Sequence, residues 1–206
     1  MISCFRKVFF NDPNFAATAI CSKKKPTLDE VKAEVELAFQ SIVGQKTAKV
    51  RLCRAATSAL LRYDHNCSDI NFLVTGPASV GKTSIVRTFA SVLKIPYLEV
   101  SPRSLNSLDD MFNQIAQTLA SFTPAMPLDR FADTESKTYM ASPMVIFVDE
   151  AHALAKQMQD GLLKAIESDD RTLQTETGRT LICKNVCWIF ATTEAGDLFG
   201  PLLSSR

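Results

Sequence analysis

The sequence predicts an α/β fold: a doubly wound parallel sheet of five strands flanked by helices, with a β-hairpin inserted before the last strand. Three observations carry this expectation. Short apolar runs alternate along the chain with stretches of helical periodicity, the pattern of strand–helix–strand units in a parallel sheet. One run, Met144-Val145-Ile146-Phe147-Val148, is apolar without interruption, as a strand buried on both faces must be. The segment Gly76-Pro77-Ala78-Ser79-Val80-Gly81-Lys82-Thr83 fits G-x-x-x-x-G-K-[ST] and stands between an apolar run and a helical stretch.

The elements follow in order. Thr27-Leu28-Asp29-Glu30 has the form of a capping box, and Val31, Val35, Ala38 and Phe39 continue at helical spacing, so a helix is expected over about 27–40. Residues 41–45 interrupt it. A second helix is expected to run to about 62 with Val50, Cys53, Leu60 and Leu61 inward. Residues 63–69 are polar and loop-like, which makes His65 a solvent-facing loop residue. Ile70, Phe72, Leu73 and Val74 form the first strand, and the helix after the glycine-rich loop turns Ile85, Val86, Phe89, Val92 and Leu93 to one side. Residues 95–100 read as the next strand, with Pro96 held to its start because proline cannot donate to a ladder. Ser104 or Asn106 is expected to cap a helix with the stripe Leu108, Phe112, Ile115 and Leu119. Residues 121–142 lose all period and read as an inserted loop. After the 144–148 strand comes a helix with Leu154, Met158, Leu162 and Ile166, then a hairpin over 169–182 turning near Glu176–Gly178, then a buried strand over 186–191.

Composition sets limits on partners. The chain has 206 residues, enough for one domain with a sizeable core, and its 46% apolar and 22% charged content is ordinary for a globular protein. A net charge of +1 gives no overall pull toward nucleic acid or anionic membrane, so either partner would have to be met by a local patch. No apolar run approaches bilayer-spanning length, and no membrane partner is expected. Residues 1–26 hold one acid, Asp12, and a run of three lysines at 23–25; they read as a disordered leader in preference to an organellar presequence, and they lack the apolar core of a secretory signal. Cysteines at 4, 21, 53, 67, 183 and 187 are scattered as reduced thiols of a cytoplasmic protein are, and Cys183 and Cys187 lack the further ligands of a zinc site, so packing is their expected role.

The chemistry gathers at three places. In the glycine-rich loop, Gly76, Pro77, Ala78, Ser79, Val80 and Gly81 let successive backbone N–H groups turn inward on a phosphate chain at the positive end of a helix, with Ser84 in its first turn. Lys82 would reach the β- and γ-phosphates, and the Thr83 hydroxyl would ligate Mg²⁺. The strand at 144–148 ends in Asp149-Glu150, which places two carboxylates where that loop opens: Asp149 to hold Mg²⁺, Glu150 to orient and polarise an attacking water. The last strand ends in Ala191-Thr192-Thr193, and Thr193 is the residue chosen to sense a γ-phosphate.

Taken in order, Val43-Gly44-Gln45, the loop through Ser84, Val148-Asp149-Glu150-Ala151-His152 and the segment from Phe190 to Arg206 resemble the AAA+ ATPases, and most closely the RuvB-like Holliday junction branch-migration motors. The resemblance covers about residues 41–206 outside the insertion. It implies ATP and Mg²⁺ as cofactors, adenine contacts from Ile42 and Val43, a Walker B pair at Asp149 and Glu150, sensor 1 at Thr193, and an arginine finger at Arg206 that reaches a neighbouring subunit's site. It also implies a homo-oligomeric ring, a hexamer in the family, and a hairpin over 169–182 that contacts partner proteins. Three features depart from the family's pattern: Ala78-Ser79-Val80 stands where a Pro-Gly pair is usual, the spacing from this loop to Asp149 is longer, and one extra residue lies between Thr193 and Arg206. The sequence stops at Arg206, where the family continues into a helical lid with a sensor-2 arginine and a winged-helix DNA-binding domain; the expectation is a large ATPase domain over 27–206 without them.

The leading functional expectation is therefore an ATP-driven, ring-forming motor acting on DNA in recombination and repair. A protein-remodelling chaperone of the MoxR or unfoldase type would share the same nucleotide residues. A loader or switch subunit that binds ATP without hydrolysing it efficiently is the third reading, and Glu150 argues against it, since an inert switch needs no water-activating carboxylate.

Overall fold

The computed structural model describes residues 27–62, 71–122, 137–167 and 169–193. Along them run α1 (Leu28–Phe39), α2 (Lys46–Leu61), β1 (Phe72–Thr75), α3 (Lys82–Leu93), β2 (Tyr97–Val100), α4 (Leu108–Phe122), β3 (Thr138–Met140), β4 (Met144–Val148), α5 (Lys156–Glu167), β5 (Thr172–Gln174), β6 (Thr180–Ile182) and β7 (Val186–Thr192). The expected leader (1–26), His65, most of the insertion (123–136) and Arg206 lie outside the described residues.

The main sheet has the order β1-β7-β4-β2 with every pair parallel. It is doubly wound, as expected, but four-stranded among the described residues where five strands were anticipated. The segments expected as strands near 70–74, 95–100, 144–148 and 186–191 supply its strands, and the remaining strands form a separate small sheet, β3-β6-β5, in which β3 and β6 are parallel and β5 and β6 antiparallel. Thr138–Met140 thus pairs as a strand within what the sequence presents as an aperiodic insertion.

Alternation along the central strands builds two cores. Val145 and Phe147 of β4 and Cys187, Ile189 and Ala191 of β7 face α1, α2 and α3. Met144, Ile146 and Val148, with Val186, Trp188 and Phe190, face α4, α5 and the small sheet. All five residues of β4 and all seven of β7 are buried, so apolar side chains on both faces are what these strands require. Cys183 and Cys187 are buried in this packing; burial pushes the Cys183 thiol up to about 12.

Helix starts and stripes mostly follow the sequence. The Thr27 hydroxyl accepts from Glu30 N–H while the Glu30 carboxylate accepts from Thr27 N–H, a complete capping box on α1. Val31, Val35 and Phe39 of α1 and the expected stripes of α4 and α5 are buried. The α2 phase is corrected in part: Cys53 and Leu60 pack against the core as expected, and Val50 and Leu61 do not. Val50 and Leu61 are 48% and 44% exposed, and the buried face carries Leu52, Ala56, Thr57 and Ala59. This helix is sandwiched between α1 and α3, where small side chains permit the close approach that larger ones would block. The cap of α4 is also corrected: Ser107 Oγ, not Ser104 or Asn106, accepts from the backbone, at Asp110 N–H (3.2 Å). Ser104 instead bonds the Ser101 carbonyl, and Asn106 N–H donates to Asp110.

A second carboxylate meets the same helix start. Glu176, in the β5–β6 turn, accepts from Leu108 and Asp109 N–H, both at 3.3 Å. Asp109 in return accepts from the Thr177 N–H and hydroxyl and from the Arg179 guanidinium, which also bonds Asn113 and lies 4.2 Å over the Phe112 ring. The turn is thereby clasped onto α4, with Gly178 at φ +79 supplying the reversal. Replacing Glu176 by alanine removes a cap worth about 1 kcal/mol, and urea unfolding followed by fluorescence of Trp188, the single tryptophan, should show that loss. The Thr177 hydroxyl first, and then Arg179, hold the Asp109 carboxyl well below the usual carboxylate range. A depressed folded value means that the clasp is intact above about pH 4 and is lost as pH falls through that lower value. The Thr177 amide resonance should accordingly stay fixed from pH 7 to about pH 4 and move only in stronger acid; a midpoint near the ordinary aspartate value of about 3.9 would contradict this.

Candidate functional site

Three parallel strands end at one edge. β1 and β7 are in register through Thr75 and Thr192, and Gly76 N–H continues the ladder to the Thr192 carbonyl at 3.3 Å. β4 is in register with β7 through Val148 and Phe190, and Asp149 N–H continues the ladder on the other side, to Val100 O at 3.1 Å. The glycine-rich loop, the Asp149-Glu150 pair and the Thr192-Thr193 pair are thus brought together by strand register, at the carboxyl ends where open α/β sheets place their ligands.

The loop from Gly76 to Gly81 turns the chain from β1 into α3. Gly76, Ser79 and Gly81 have φ of +154, +65 and +87. A Cβ added at Gly81 would meet nothing within 4 Å, so it is the backbone angle, not crowding, that calls for glycine there. The first N–H groups of α3, from Lys82 to Ser84, have no carbonyl one turn earlier within the helix to bond and sit at its positive end. Lys82 is only 6% exposed; its Nζ donates to the Gly76 and Pro77 carbonyls at 2.9 and 3.1 Å, folded back over the loop. A cleft of about 310 Å³ opens beside it, lined by Ala78, Ser79, Gly81, Lys82, Thr83, Ser84, Asp149 and Glu150. Its lining combines helix-terminal donors and a buried ammonium with two carboxylates.

Glu150 has φ +52 and begins a tight 3-10 turn over Ala151–Ala153. Its N–H bonds the Asp149 carboxylate at 3.0 Å. The Thr193 hydroxyl donates to Glu150 Oε2 at 3.2 Å, so the two residues chosen from sequence for water activation and phosphate sensing touch across adjacent strand ends. Ile42 is half-buried against the α1–α3 core, and its carbonyl accepts from Lys49 Nζ at 2.7 Å. Val43 is 93% exposed, an apolar side chain left uncovered just before the start of α2. Arg206 lies outside the described residues.

Two contributors lacked a role in the sequence reading. Gln45, at φ +52, sends its side-chain amide to the Val80 carbonyl and ties the 42–45 turn to the glycine-rich loop. His152 meets Thr192 and Glu150. Both residues sit inside the quoted motifs, which was the available signal, but their contacts depend on strand neighbours far away in sequence.

Comparison with known proteins bears on the fold and the family. The family described as "ATPase family associated with various cellular activities (AAA)" matches residues 72–206. Among solved structures, the Thermotoga maritima RuvB Holliday junction branch migration motor is similar at 22% identity and a TM-score of 0.52, over 79% of this chain and 43% of that one. Two mutant forms of the Thermotoga maritima protein match at 23% and 22% identity with TM-scores of 0.53 and 0.54, covering 79% and 89% of this chain and 43% and 47% of theirs. The chain spans less than half the length of these structures.

Ser79 in the left-handed region carries a cost of about 1 kcal/mol that glycine would not. Ser79→Gly should therefore raise stability by up to about 1 kcal/mol, reduced by the freer unfolded chain. A fall in the urea midpoint would show that the serine side chain contributes more than its backbone angle costs.

Proposed function

Because this chain belongs to the AAA family of ATPases, an ATP-binding and ATP-hydrolysing P-loop fold, we propose that it is the large ATPase domain of a ring-forming motor of the RuvB kind, acting on DNA. The observation that carries the reading is the 3.2 Å contact between Thr193 and Glu150 beside the glycine-rich loop, an arrangement with a purpose in hydrolysis and none in mere nucleotide storage.

The residues present fit a nucleoside triphosphate with its magnesium ion. An ammonium and helix-terminal N–H groups line the cleft together with two carboxylates, the donor set that a phosphate chain plus a divalent cation calls for. Thr83 and Asp149 would hold Mg²⁺, which when bound neutralises charge on the terminal phosphates. Gly76, Pro77, Ala78, Ser79, Val80, Gly81 and Ser84 cradle the phosphates, and Lys82 exchanges its carbonyl partners for phosphate oxygens. Ile42 and Val43 offer the base an apolar surface, anchored to the loop by Gln45. Glu150 orients the attacking water, and Thr193 holds that carboxylate and the terminal phosphate in relation to one another. Arg206 would act on a neighbouring subunit's site, which makes a ring, hexameric by likeness to RuvB, the working form. DNA would be engaged through a C-terminal winged-helix domain of the kind that RuvB-like motors carry. The hairpin at 169–182 is the surface for a protein partner, with its Glu176–Arg179 segment already committed to α4.

Two experiments test this reading. Arg206→Ala should lower ring-stimulated ATP hydrolysis by about 10³–10⁵ while sparing ATP binding; normal turnover would remove the finger assignment. Branched or duplex DNA should stimulate hydrolysis by the parent protein. Stimulation by a protein client and not by DNA would replace the DNA motor with a remodelling chaperone.

A further inference from the structure

We propose that His152 is a positioning residue that fixes the Glu150 carboxylate against the end of β7. The inference rests on the reading of Glu150 as the water-orienting group. His152 Nδ1 lies 2.8 Å from Thr192 Oγ1 and 3.4 Å from Glu150 Oε2. Glu150 Oε2 also receives the Thr193 hydroxyl at 3.2 Å. One carboxylate oxygen is therefore approached by an imidazole from its own turn and by a hydroxyl from the neighbouring strand, and the same imidazole nitrogen reaches the next hydroxyl along that strand.

The chemistry of the partners sets the proton. A carboxylate oxygen only accepts, so the ring steadies Glu150 only with hydrogen on Nδ1. That N–H would donate to Thr192 Oγ1 at 2.8 Å while lying 3.4 Å from the Glu150 carboxylate, and Thr192 is fully buried, so the hydroxyl end is a fixed point. The other end is equally constrained. Glu150 and His152 share a turn closed by Ala153 N–H to Glu150 O (2.9 Å) and Leu154 N–H to Ala151 O (3.1 Å), with Ala151 buried beneath it. The turn keeps the backbones of the two residues at a fixed separation, from which the ring and the carboxylate lie 3.4 Å apart. His152 thus adds a second tie between the turn after β4 and the end of β7, through Thr192, beside the bond from Thr193 to Glu150. Its part is to hold the carboxylate's orientation.

The experiment has a structural and a kinetic arm. The chain has two histidines, so ¹⁵N imidazole signals can be assigned directly. In the nucleotide-free protein the neutral His152 ring should carry its proton on Nδ1, and Glu150→Ala and Thr192→Val should each displace that nitrogen's signal. A proton on Nε2, with a signal indifferent to both variants, overturns the proposal. In hydrolysis, His152→Ala should lower kcat by about 10- to 100-fold, the scale of a small misplacement in a reacting group, with KM for ATP unchanged. His152→Asn, whose amide can donate from the position of Nδ1, should recover most of the loss, and adding Thr192→Val to His152→Ala should cost nothing more. An unchanged kcat in His152→Ala, in a protein where Glu150→Gln is inactive, overturns the positioning role alone. Parental turnover in Glu150→Gln instead overturns the reading of Glu150, and the proposal with it.

Discussion

The register of three parallel strands is the constraint on which the rest of the molecule depends. β7 lies between β1 and β4 and is longer than either, pairing Thr192 with Thr75 on one side and Phe190 with Val148 on the other. Continued past its last pair, the β4 register brings Glu150 level with Thr192. That is why His152, Thr192, Glu150 and Thr193 meet, though forty residues separate the two segments. A one-residue slip would turn every side chain of β7 to the opposite face and exchange the two cores. Burial on both faces is what forbids the slip, so the apolar packing of β4 and β7 and the geometry of the site are one property.

The two layers of helices have different tasks. On one face α1, α2 and α3 pack around Phe39 and Phe89 with alanines and β-branched residues between them, and α3 presents its N-terminus to the cleft. On the other, α4 and α5 with the small sheet form the larger core around Trp188, Met144 and Ile146. The hairpin belongs to that second layer. Its polar turn satisfies the start of α4 through Glu176 and Asp109, so charges that look solvent-bound in the sequence close a helix end. Leu108, at the same helix start, lies so close to Gly161 of α5 that a Cβ there would fall 2.5 Å from Leu108 Cδ1. One short segment therefore joins α4, α5 and the hairpin.

What was legible in the sequence follows from how local its causes are. The β4 strand was plain because five consecutive apolar residues have no other comfortable place, and the glycine-rich loop because its spacing is set by phosphate chemistry within eight residues. The hairpin turn was marked by Gly178. The α2 face was half misjudged: Cys53 and Leu60 pack inward, but Ala56 and Ala59 define the buried face, and small residues carry little weight in a reading by hydrophobicity. β3 was missed since three residues hold no period and their partner strand lies some forty positions on. The α4 start was misplaced because its caps are Ser107 and a glutamate 68 residues away. At the site, the residues carrying Lys82, Thr83, Asp149, Glu150 and Thr193 were all named from motif and spacing, and the structure brings them to one edge. Gln45 and His152 were quoted but given no task, because what each does depends on which strand or loop stands opposite.

The central claim is that the ends of β1, β4 and β7 form one phosphate-handling site. A crystal structure with magnesium and a non-hydrolysable ATP analogue tests it most directly. The account predicts the phosphate chain against the first turn of α3, with Lys82 Nζ moved from the Gly76 and Pro77 carbonyls onto phosphate oxygens and the terminal phosphate beside Glu150 and Thr193. A nucleotide seated elsewhere, with Lys82 still on those two carbonyls, would contradict it.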